Sequence, residues 1–494
     1  MRFIHTADWH LGNSLFNIDR TKEFDAFLRW LKDEIINTNA DALVIAGDVF
    51  DVANPPVISR KQYNNFLASL LGTNCRNVII VGGNHDSGAL LDSEKDILDA
   101  LNIHVVGSLS NIPPEKIEDI VFEIKDDNKN TIGLCCAVPF AREIELRNYY
   151  KDKVGQGELS DCAYGALYSL VKDAAKKAAE NIATNQKTFG EKIPIIATGH
   201  LYASGLEGRL ENIDTEIRCD DGRRTIDDVI GNLGSVHISV FPEEFAYVAL
   251  GHIHYTTTVA KNPNVRYSGS PFVLGFDEAH LPRHVLLVDI DENREAGEKT
   301  KVETIKVPRF FDYRRLSGSV AEIKSALKKY KNPDAPNFAE PATSAKIPTL
   351  QGTLDFSDPE TDAENLTAEK KPALPGKPTF LELYYKREDG VSINDELFET
   401  IKNLPENVFV VNKKPQPSVQ MNNTVYQDMD NEQIKNLAPE DIFKSLILSK
   451  SNIDKTGLSE EEVEKKQNEL IKKYLPLFME VAKEVESGES DENN

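Results

Sequence analysis

Side chains that can bind metal ions follow five short apolar segments of the chain. Each segment has the composition of a buried β-strand and is followed by a turn, often with glycine, and then by aspartate, histidine or asparagine. In chain order these side chains are Asp8 and His10, Asp48 and Asp51, Asn84 and His85, His200, and His252 with His254. Because ligands gather beyond the carboxyl ends of the strands in an open α/β sheet, the five turns can converge on one site.

The donors are carboxylates, imidazoles and one amide oxygen, without a thiolate. Such a set suits manganese or iron better than a structural zinc cage, so we expect two Mn²⁺ ions, with Mg²⁺ or Fe²⁺ as alternatives. Two ions about 3.5–4 Å apart can stabilise both the attacking and the leaving oxygen of a phosphoester. Asp48 lies between the two halves of the set and is the natural bridge. The pattern therefore predicts phosphoester hydrolysis.

A single motif of this kind carries little weight, because a lone histidine is more often a core or surface residue than a ligand. Five motifs in order, each directly after a predicted strand, are a much stronger indication. The other histidines are expected to pack in the core or to face solvent; they are His5, His104, His237, His280 and His284.

The elements that must position these side chains fill the first 300 or so residues, where short apolar runs alternate with amphipathic helical stretches. That alternation predicts a layered α/β domain. Residues 19–37 show the helical pattern clearly, with apolar residues at three- and four-residue spacing. Residues 155–192 are predicted to form a long surface helix with its flanks. We place this first domain at residues 1–305.

A smaller α+β unit is predicted at residues 306–425, with a helix near 320–330 and strands near 380–385 and 408–411. Within it, residues 332–378 are rich in proline, threonine, alanine and acidic side chains, which predicts a flexible insertion. Residues 430–486 are predicted to form a helical segment that pads the core or docks a partner. Residues 487–494 are expected to be a disordered tail.

The composition places further bounds on function. The formal net charge of −23 argues against a general nucleic-acid coat protein, although a DNA-facing surface could still be locally basic. The five cysteines form no CxxC pair, which is typical of a reducing compartment. No run is long and apolar enough to span a membrane or direct export, so a cytoplasmic, nucleoid-associated protein is expected.

The motifs resemble those of the calcineurin-like metallophosphoesterase superfamily, and in finer detail those of the SbcD family of bacterial nuclease subunits. The resemblance runs through nearly the whole first domain. It is carried by the segments His5 to Gly12 (HTADWHLG), Ala46 to Asp51 (AGDVFD), Ala249 to His254 (ALGHIH) and Arg266 to Pro271 (RYSGSP). The stretch Leu437 to Phe443 (LAPEDIF) is similar to the C-terminal region that engages an ATPase partner in that family. The implied fold is a β-sandwich flanked by helices, with a smaller α+β capping domain and a C-terminal helical tail.

The resemblance also implies roles for single residues. Asp8, His10 and His254 would hold one metal ion; Asn84, His200 and His252 would hold the other, with Asp48 shared. His85 is similar to the family histidine that stabilises the transition state or protonates the leaving oxygen. Asp51 would orient His85 through its carboxylate, with a purely structural role as the alternative.

The implied activity is ATP-stimulated 3′–5′ exonuclease action on double-stranded DNA ends and endonuclease action on single strands and hairpins, in DNA repair, recombination and replication. The chain has no glycine-rich lysine loop for nucleotides, so ATP dependence would come from the family's partner, a coiled-coil ATPase of the SbcC type. The nuclease chains of the family pair as homodimers within a heterotetramer.

Two other functions use the same pattern. A phosphomonoesterase could be built on the same metal core, but it would not need a capping domain or a helical tail. A metal-bearing scaffold without catalysis would not need His85 and Asp51. Hydrolysis of a small phosphodiester, compared with a phosphomonoester, distinguishes these functions.

Overall fold

The computed structural model describes residues 1–149, 159–186, 192–204, 235–276, 278–295, 297–330, 377–386, 392–416 and 471–475. The chain divides into two compact units, residues 1–415 and residues 416–494. In the second unit, 471–475 is helical. The predicted insertion, apart from residues 377 and 378, and most of the predicted helical tail lie outside the described residues.

The first of two six-stranded sheets contains the strands that precede the first three motifs. Its parallel strands are β1 (Arg2–Thr6), β2 (Ala42–Ala46), β3 (Asn77–Val81) and β4 (Ile103–Val106). Two antiparallel strands, β11 (His284–Ile290) and β12 (Thr300–Lys306), extend the sheet beyond β1. All five residues of β2 and of β3 are buried, as expected for parallel strands covered on both faces.

The second sheet contains the strands that precede the last two motifs. Its order is β5 (Val121–Lys125), β6 (Thr131–Cys136), β7 (Ile195–His200), β8 (Tyr247–Gly251), β10 (Asn262–Tyr267) and β9 (Thr257–Val259). Strands β6, β7, β8 and β10 run parallel. The side chains between the two sheets form one apolar core, to which Phe3, Val44 and Ile79 contribute from the first sheet and Ile196 and Val248 from the second.

Helices cover the outer faces of the sandwich. On the first sheet, α1 (Thr21–Asn37) and α2 (Val57–Leu70) bury Phe27, Leu31 and Phe66 against the strands. Short helices α3 (Gly88–Asp92) and α4 (Lys95–Asp99) connect β3 to β4, and α5 (Glu143–Leu146) follows β6. On the second sheet lies α6 (Leu159–Gln186), the long helix that the sequence predicts. One face of α6 is buried in the core, through Tyr164, Tyr168 and Val171.

A three-stranded parallel sheet follows the sandwich. It consists of β13 (Asp312–Gly318), β14 (Thr379–Tyr385) and β15 (Val408–Pro415), with α7 (Val320–Lys329) and α8 (Ile393–Lys402) packed on one face. The N-terminus of α7 is closed by a capping box between Ser319 and Glu322. The mixed α/β fold class is therefore confirmed.

Among the described helices, none is long and apolar enough to cross a membrane. Cys75, Cys135 and Cys136 are free and buried, and burial raises the pKa of the Cys75 thiol to about 12. These three cysteines have the apolar packing role that the sequence predicts.

Candidate metal centre

The predicted ligands lie where the carboxyl ends of the two sheets meet. Those of the first sheet follow β1, β2 and β3, and those of the second stand at the end of β7 and directly after β8. The sheets approach closely here: a Cβ atom on Gly251 would lie 1.9 Å from the carbonyl oxygen of Ala46. Only glycine fits at this position, which allows ligands from both sheets to reach one site.

The turns that carry the ligands have an unusual backbone conformation. Asp8, His10, Asp48 and His252 have positive φ angles of 54°, 46°, 50° and 100°, a region that costs residues other than glycine about 1–3 kcal/mol each. Hydrogen bonds between the turns fix this conformation. The amide of Asp8 donates to the Gly47 carbonyl at 3.0 Å, and that of His10 donates to the Asp48 carbonyl at 3.0 Å. The amide of His252 donates to Asp8 Oδ1 at 2.8 Å.

Two groups of potential ligand atoms form around Asp8. The first contains Asp8, His10 and His254, and the second contains Asp8, Asp48 and His200; within each group the atoms lie within 4.8 Å of one another. Asn84 joins the second group, because its Oδ1 lies 3.0 Å from His200 Nε2 and 2.9 Å from His252 Nδ1. The structure thus brings together all the residues for which the sequence predicts a ligand role.

Asp48 belongs to the second group and also reaches His10 of the first. Its Oδ2 is 3.5 Å from His10 Nε2 and 3.3 Å from His200 Nε2, and its Oδ1 accepts a hydrogen bond from the His85 amide. Burial alone would raise the pKa of Asp48, but His200, His10 and His85 hold it well below its ordinary value. The carboxylate therefore stays ionised although it is only 1% exposed.

The neighbouring groups show the same balance of burial and charge. Burial would lower the pKa of His200, but Asp48 and Asp8 raise it to about 9. For Asp8, burial dominates and raises the pKa. Burial and the charge of His200 lower the pKa of His252 to about 3. Carboxylates and imidazoles so close to one another form a strongly interacting set, as is typical of a functional site.

The residues present fit a divalent cation. Asp8 Oδ2 and His10 Nε2 are buried and have no hydrogen-bond partner among the described residues. Buried polar atoms without a partner are costly, and a bound cation would remove that cost. Glycines keep the space open: a Cβ on Gly47 would lie 2.2 Å from His200 Nδ1, and one on Gly83 would lie 2.1 Å from Asp48 Oδ1. Oxygen and imidazole donors suit such an ion.

Asp51 has a different contact from the one expected. Its Oδ1 lies 3.1 Å from His10 Nδ1 and accepts from Asn13 Nδ2 at 3.1 Å. The Nδ1 atom of His85 instead donates to the main-chain carbonyl of Asp51 at 2.9 Å. The expectation that the Asp51 carboxylate orients His85 is therefore corrected: the carboxylate orients His10, and the carbonyl orients His85. The sequence could not distinguish these partners, because His10 and His85 both come close to Asp51 only in the folded chain.

Two further carboxylates at the site were missed by sequence reasoning. Asp86 accepts from the amides of Val49, Phe50 and Gly83 at 2.9–3.1 Å, and so ties the Asp48 turn to the Asn84 turn. Its position directly after His85 was the one available signal. The second carboxylate, Glu278, has no such signal, because it lies 24 residues beyond His254, the predicted ligand that it contacts.

Glu278 lies behind His254. Its Oε1 is 3.5 Å from His254 Nδ1, and its Oε2 accepts from Arg283 at 2.8 Å. Burial would raise the pKa of Glu278, but His254 and Arg283 hold it at about 2. Arg283 also donates to the His254 carbonyl at 2.9 Å. A carboxylate on the far nitrogen of a ligand imidazole fixes its orientation, so this pair supports the His254 ring.

Of the other histidines, His5 has the packing role that the sequence predicts. It is fully buried, with Nδ1 3.0 Å from the Tyr247 hydroxyl and Nε2 3.2 Å from the Leu250 carbonyl. Burial lowers its pKa to about 3, so His5 is a neutral core residue. His104 stacks on Phe122.

A two-sheet sandwich with carboxylate, imidazole and amide donors at its strand ends defines the class of metal-dependent phosphoesterases. The family model for calcineurin-like phosphoesterases matches residues 1–255, about half of the chain. The SbcD chain of the SbcCD nuclease of Escherichia coli strain K12 is 33% identical over 334 residues, which is 67% of this chain and 74% of that protein.

Two more relatives give the same result. The SbcD chains of Rhodobacter capsulatus and Bacillus subtilis are 31% and 29% identical, over 69% and 60% of this chain and 78% and 68% of their own lengths. The chain therefore belongs to the SbcD family of calcineurin-like phosphoesterases. It is a metal-dependent nuclease subunit that hydrolyses phosphodiester bonds, and the resemblance noted in the sequence is confirmed.

Proposed function

We propose that the chain binds two Mn²⁺ ions and hydrolyses DNA phosphodiesters with them. Asp8, His10 and His254 would hold one ion, and Asn84, His200 and His252 would hold the other, with Asp48 shared. The single observation that carries this proposal is the position of Asp48, whose Oδ2 lies within 3.5 Å of His10 and of His200. When bound, the ions would supply Lewis-acid stabilisation of the negative charge on the phosphoester.

The identity of the metal follows from the donor set. Imidazole and carboxylate ligands with one amide oxygen favour Mn²⁺, and Mg²⁺ or Fe²⁺ are the alternatives. The buried ligands must be deprotonated to bind, and Asp48 is already ionised because of its histidine neighbours. Burial of Asp8 and His200, both 0% exposed, keeps solvent away from this side of the centre.

His85 would act on the leaving group. It is exposed next to the buried ligands, with its ring centroid 4.8 Å from that of His10. Because a carbonyl can only accept, His85 Nδ1 carries the hydrogen in its bond to the Asp51 carbonyl. A doubly protonated ring would then have Nε2–H available to protonate the leaving oxygen of the substrate. Asp51 would support this step through its carbonyl and support His10 through its carboxylate.

DNA and an ATPase partner are proposed from the relatives. Those relatives are named as subunits of SbcCD nucleases, so an SbcC-type coiled-coil ATPase is the proposed partner, and ATP-stimulated exonuclease and endonuclease action in repair, recombination and replication is the proposed activity. The partner would bind residues 430–486. Residues 306–425 would cap the nuclease domain at residues 1–305. A DNA substrate would place the protein in the cytoplasm, at the nucleoid.

A homodimer is also proposed. Val57 in α2 and Ile97 in α4 are apolar and 81% and 71% exposed, and they are the candidate contact residues of this proposed homodimer. Sedimentation analysis of the full chain and of Val57→Asp and Ile97→Asp variants tests the pairing. A wild-type chain that sediments as a monomer would contradict it.

The experiment that tests the proposed activity is cleavage of end-labelled double-stranded DNA by the full chain with Mn²⁺, with and without the ATPase partner. We expect degradation that requires Mn²⁺ and increases with partner and ATP. The same preparation is offered bis-p-nitrophenyl phosphate, a phosphodiester, and p-nitrophenyl phosphate, a phosphomonoester. Turnover of the monoester alone, without cleavage of DNA, would overturn the proposal in favour of a phosphatase.

A further inference from the structure

A buried arginine lies between the sandwich and the three-stranded sheet. The side chain of Arg20 is fully buried, and its guanidinium lies 5.2 Å from the ring centroid of Phe24, 5.6 Å from that of Phe272 and 5.5 Å from that of Tyr313. Its Nε donates to Glu23 Oε2 at 2.8 Å. A buried charge with one carboxylate partner and three aromatic neighbours is held in a single position.

Hydrogen bonds continue from Arg20 in both directions. Towards the metal centre, Nη1 of Arg20 donates to Asn13 Oδ1 at 2.7 Å, and Asn13 Nδ2 donates to Asp51 Oδ1 at 3.1 Å. The same Asp51 oxygen lies 3.1 Å from His10 Nδ1. Away from the centre, Glu23 Oε2 accepts from the Tyr313 hydroxyl at 2.8 Å. Tyr313 is in β13, the first strand of the three-stranded sheet.

Each hydrogen bond in this series restricts the side chain that forms the next hydrogen bond. Asn13 contacts Arg20 through its oxygen and Asp51 through its nitrogen, so both ends of its amide are used. Asp51 accepts from Asn13 and from His10 at the same oxygen, which leaves the His10 ring little freedom to rotate. An apolar side chain at residue 20 would serve packing alone, because it carries no charge to desolvate. A buried arginine has that desolvation cost, so its hydrogen bonds point to a further role.

We propose that Arg20 and Asn13 are positioning residues for His10, and that Tyr313 anchors them to the three-stranded sheet. The series Tyr313–Glu23–Arg20–Asn13–Asp51–His10, which we call the Arg20 relay, would transmit the position of that sheet to a metal ligand. A displacement of β13 would then change metal affinity without any contact between β13 and the metal. This inference rests on the proposed metal ligation by His10.

The variants that test the relay leave the buried ion pair of Arg20 and Glu23 in place, because removal of either partner would leave an unpaired charge and risk unfolding. Tyr313→Phe removes one hydroxyl at the far end, and Asn13→Ala removes the link next to Asp51. Tyr164→Phe is the matched control: Tyr164 is 1% exposed, as is Tyr313, and its hydroxyl donates to the Ala141 carbonyl at 3.3 Å, outside the relay. Mn²⁺ affinity is measured by calorimetry for each variant and for the double variant.

We expect Asn13→Ala to weaken Mn²⁺ binding about 10- to 100-fold, as loss of support for a ligand does. Tyr313→Phe should weaken it roughly twofold to tenfold, the range for one hydrogen bond, whereas Tyr164→Phe should not change it. Because Tyr313 acts through Asn13, the double variant should bind no more weakly than Asn13→Ala alone. Equal affinities for Tyr313→Phe and Tyr164→Phe, or losses that multiply in the double variant, would overturn the relay.

A metal-free readout separates this inference from the proposed function. The ¹⁵N resonances of the His10 ring report its tautomer and its hydrogen bond to Asp51 without any ion. If the wild-type chain bound no Mn²⁺, the proposed function would fail, and these resonances would still test the relay. Resonances that move in Asn13→Ala and Tyr313→Phe, but not in Tyr164→Phe, support it, and unchanged resonances in all three contradict it.

Discussion

The metal centre has a buried half and an open half. Asp8, His10, Asp48 and His200 are at most 2% exposed, whereas Asn84 and His85 are exposed and His252 and His254 are partly so. The charged groups of the buried half stabilise one another, since burying a charge is costly unless it is paired. The open half is the side that a phosphodiester can reach. We infer that the buried half would hold the ions from the protein side, whereas the open half would complete their ligand sets and, through His85, face the substrate.

The largest effect on Mn²⁺ binding and on DNA cleavage is expected from a substitution in the buried half. Asp48→Asn keeps the size of the side chain but removes the negative charge that both ions would share. We expect loss of Mn²⁺ binding at both positions and no detectable DNA cleavage. Calorimetry and a cleavage assay measure the two effects. Asp99→Asn, at a carboxylate that pairs with His104 outside the centre, is the control and should retain both. Two ions bound to Asp48→Asn with wild-type affinity would show that the Asp48 carboxylate is not needed to hold them.

A smaller effect on DNA cleavage is expected from a substitution of His85 in the open half. His85→Asn should slow single-turnover cleavage about 10²- to 10⁴-fold, because a proton donor is lost, while Mn²⁺ affinity stays at the wild-type value. His104→Asn serves as the control, since His104 is a partly buried histidine that pairs with Asp99. Full activity of His85→Asn would remove His85 from the mechanism. Loss of Mn²⁺ binding would instead make His85 a metal ligand.

The smallest effect is expected from a substitution of Glu278, which contacts the predicted ligand His254. Glu278→Gln removes the charge near His254 Nδ1, and we expect Mn²⁺ affinity to fall about 10- to 100-fold while cleavage at saturating Mn²⁺ stays near the wild-type rate. Glu292→Gln is the matched control: Glu292 pairs with Lys299 at 2.8 Å and has a similar side-chain exposure, 20% compared with 24% for Glu278. Equal Mn²⁺ affinities for the two variants would show that Glu278 does not support His254.

The sequence predicts the parts of this centre that are local. Asp8, Asp48 and His252 follow apolar strands within a few residues, so the strand pattern and the rule for strand ends identify them together. The fold class follows from the same alternation of strands and helices. The long helix α6 was predicted, but its buried face was not, because an alanine-rich helix gives only a weak amphipathic signal.

The parts that escaped prediction depend on contacts between distant residues. Glu278 is 24 residues beyond His254 in the chain, and no periodicity connects them. One oxygen of the Asp51 carboxylate contacts both His10 and Asn13, and the sequence does not contain that geometry. Tyr313 and Glu23 meet across 290 residues, so their contact follows from how the three-stranded sheet packs on α1.

We propose that the centre holds two ions with Asp48 shared between them. Anomalous diffraction from crystals of the full chain grown with Mn²⁺ tests it most directly. We predict two peaks, one next to Asp8, His10 and His254 and one next to Asn84, His200 and His252, both within ligand distance of Asp48. A single peak, or two peaks of which one lies away from Asp48, would contradict this arrangement of the two ions.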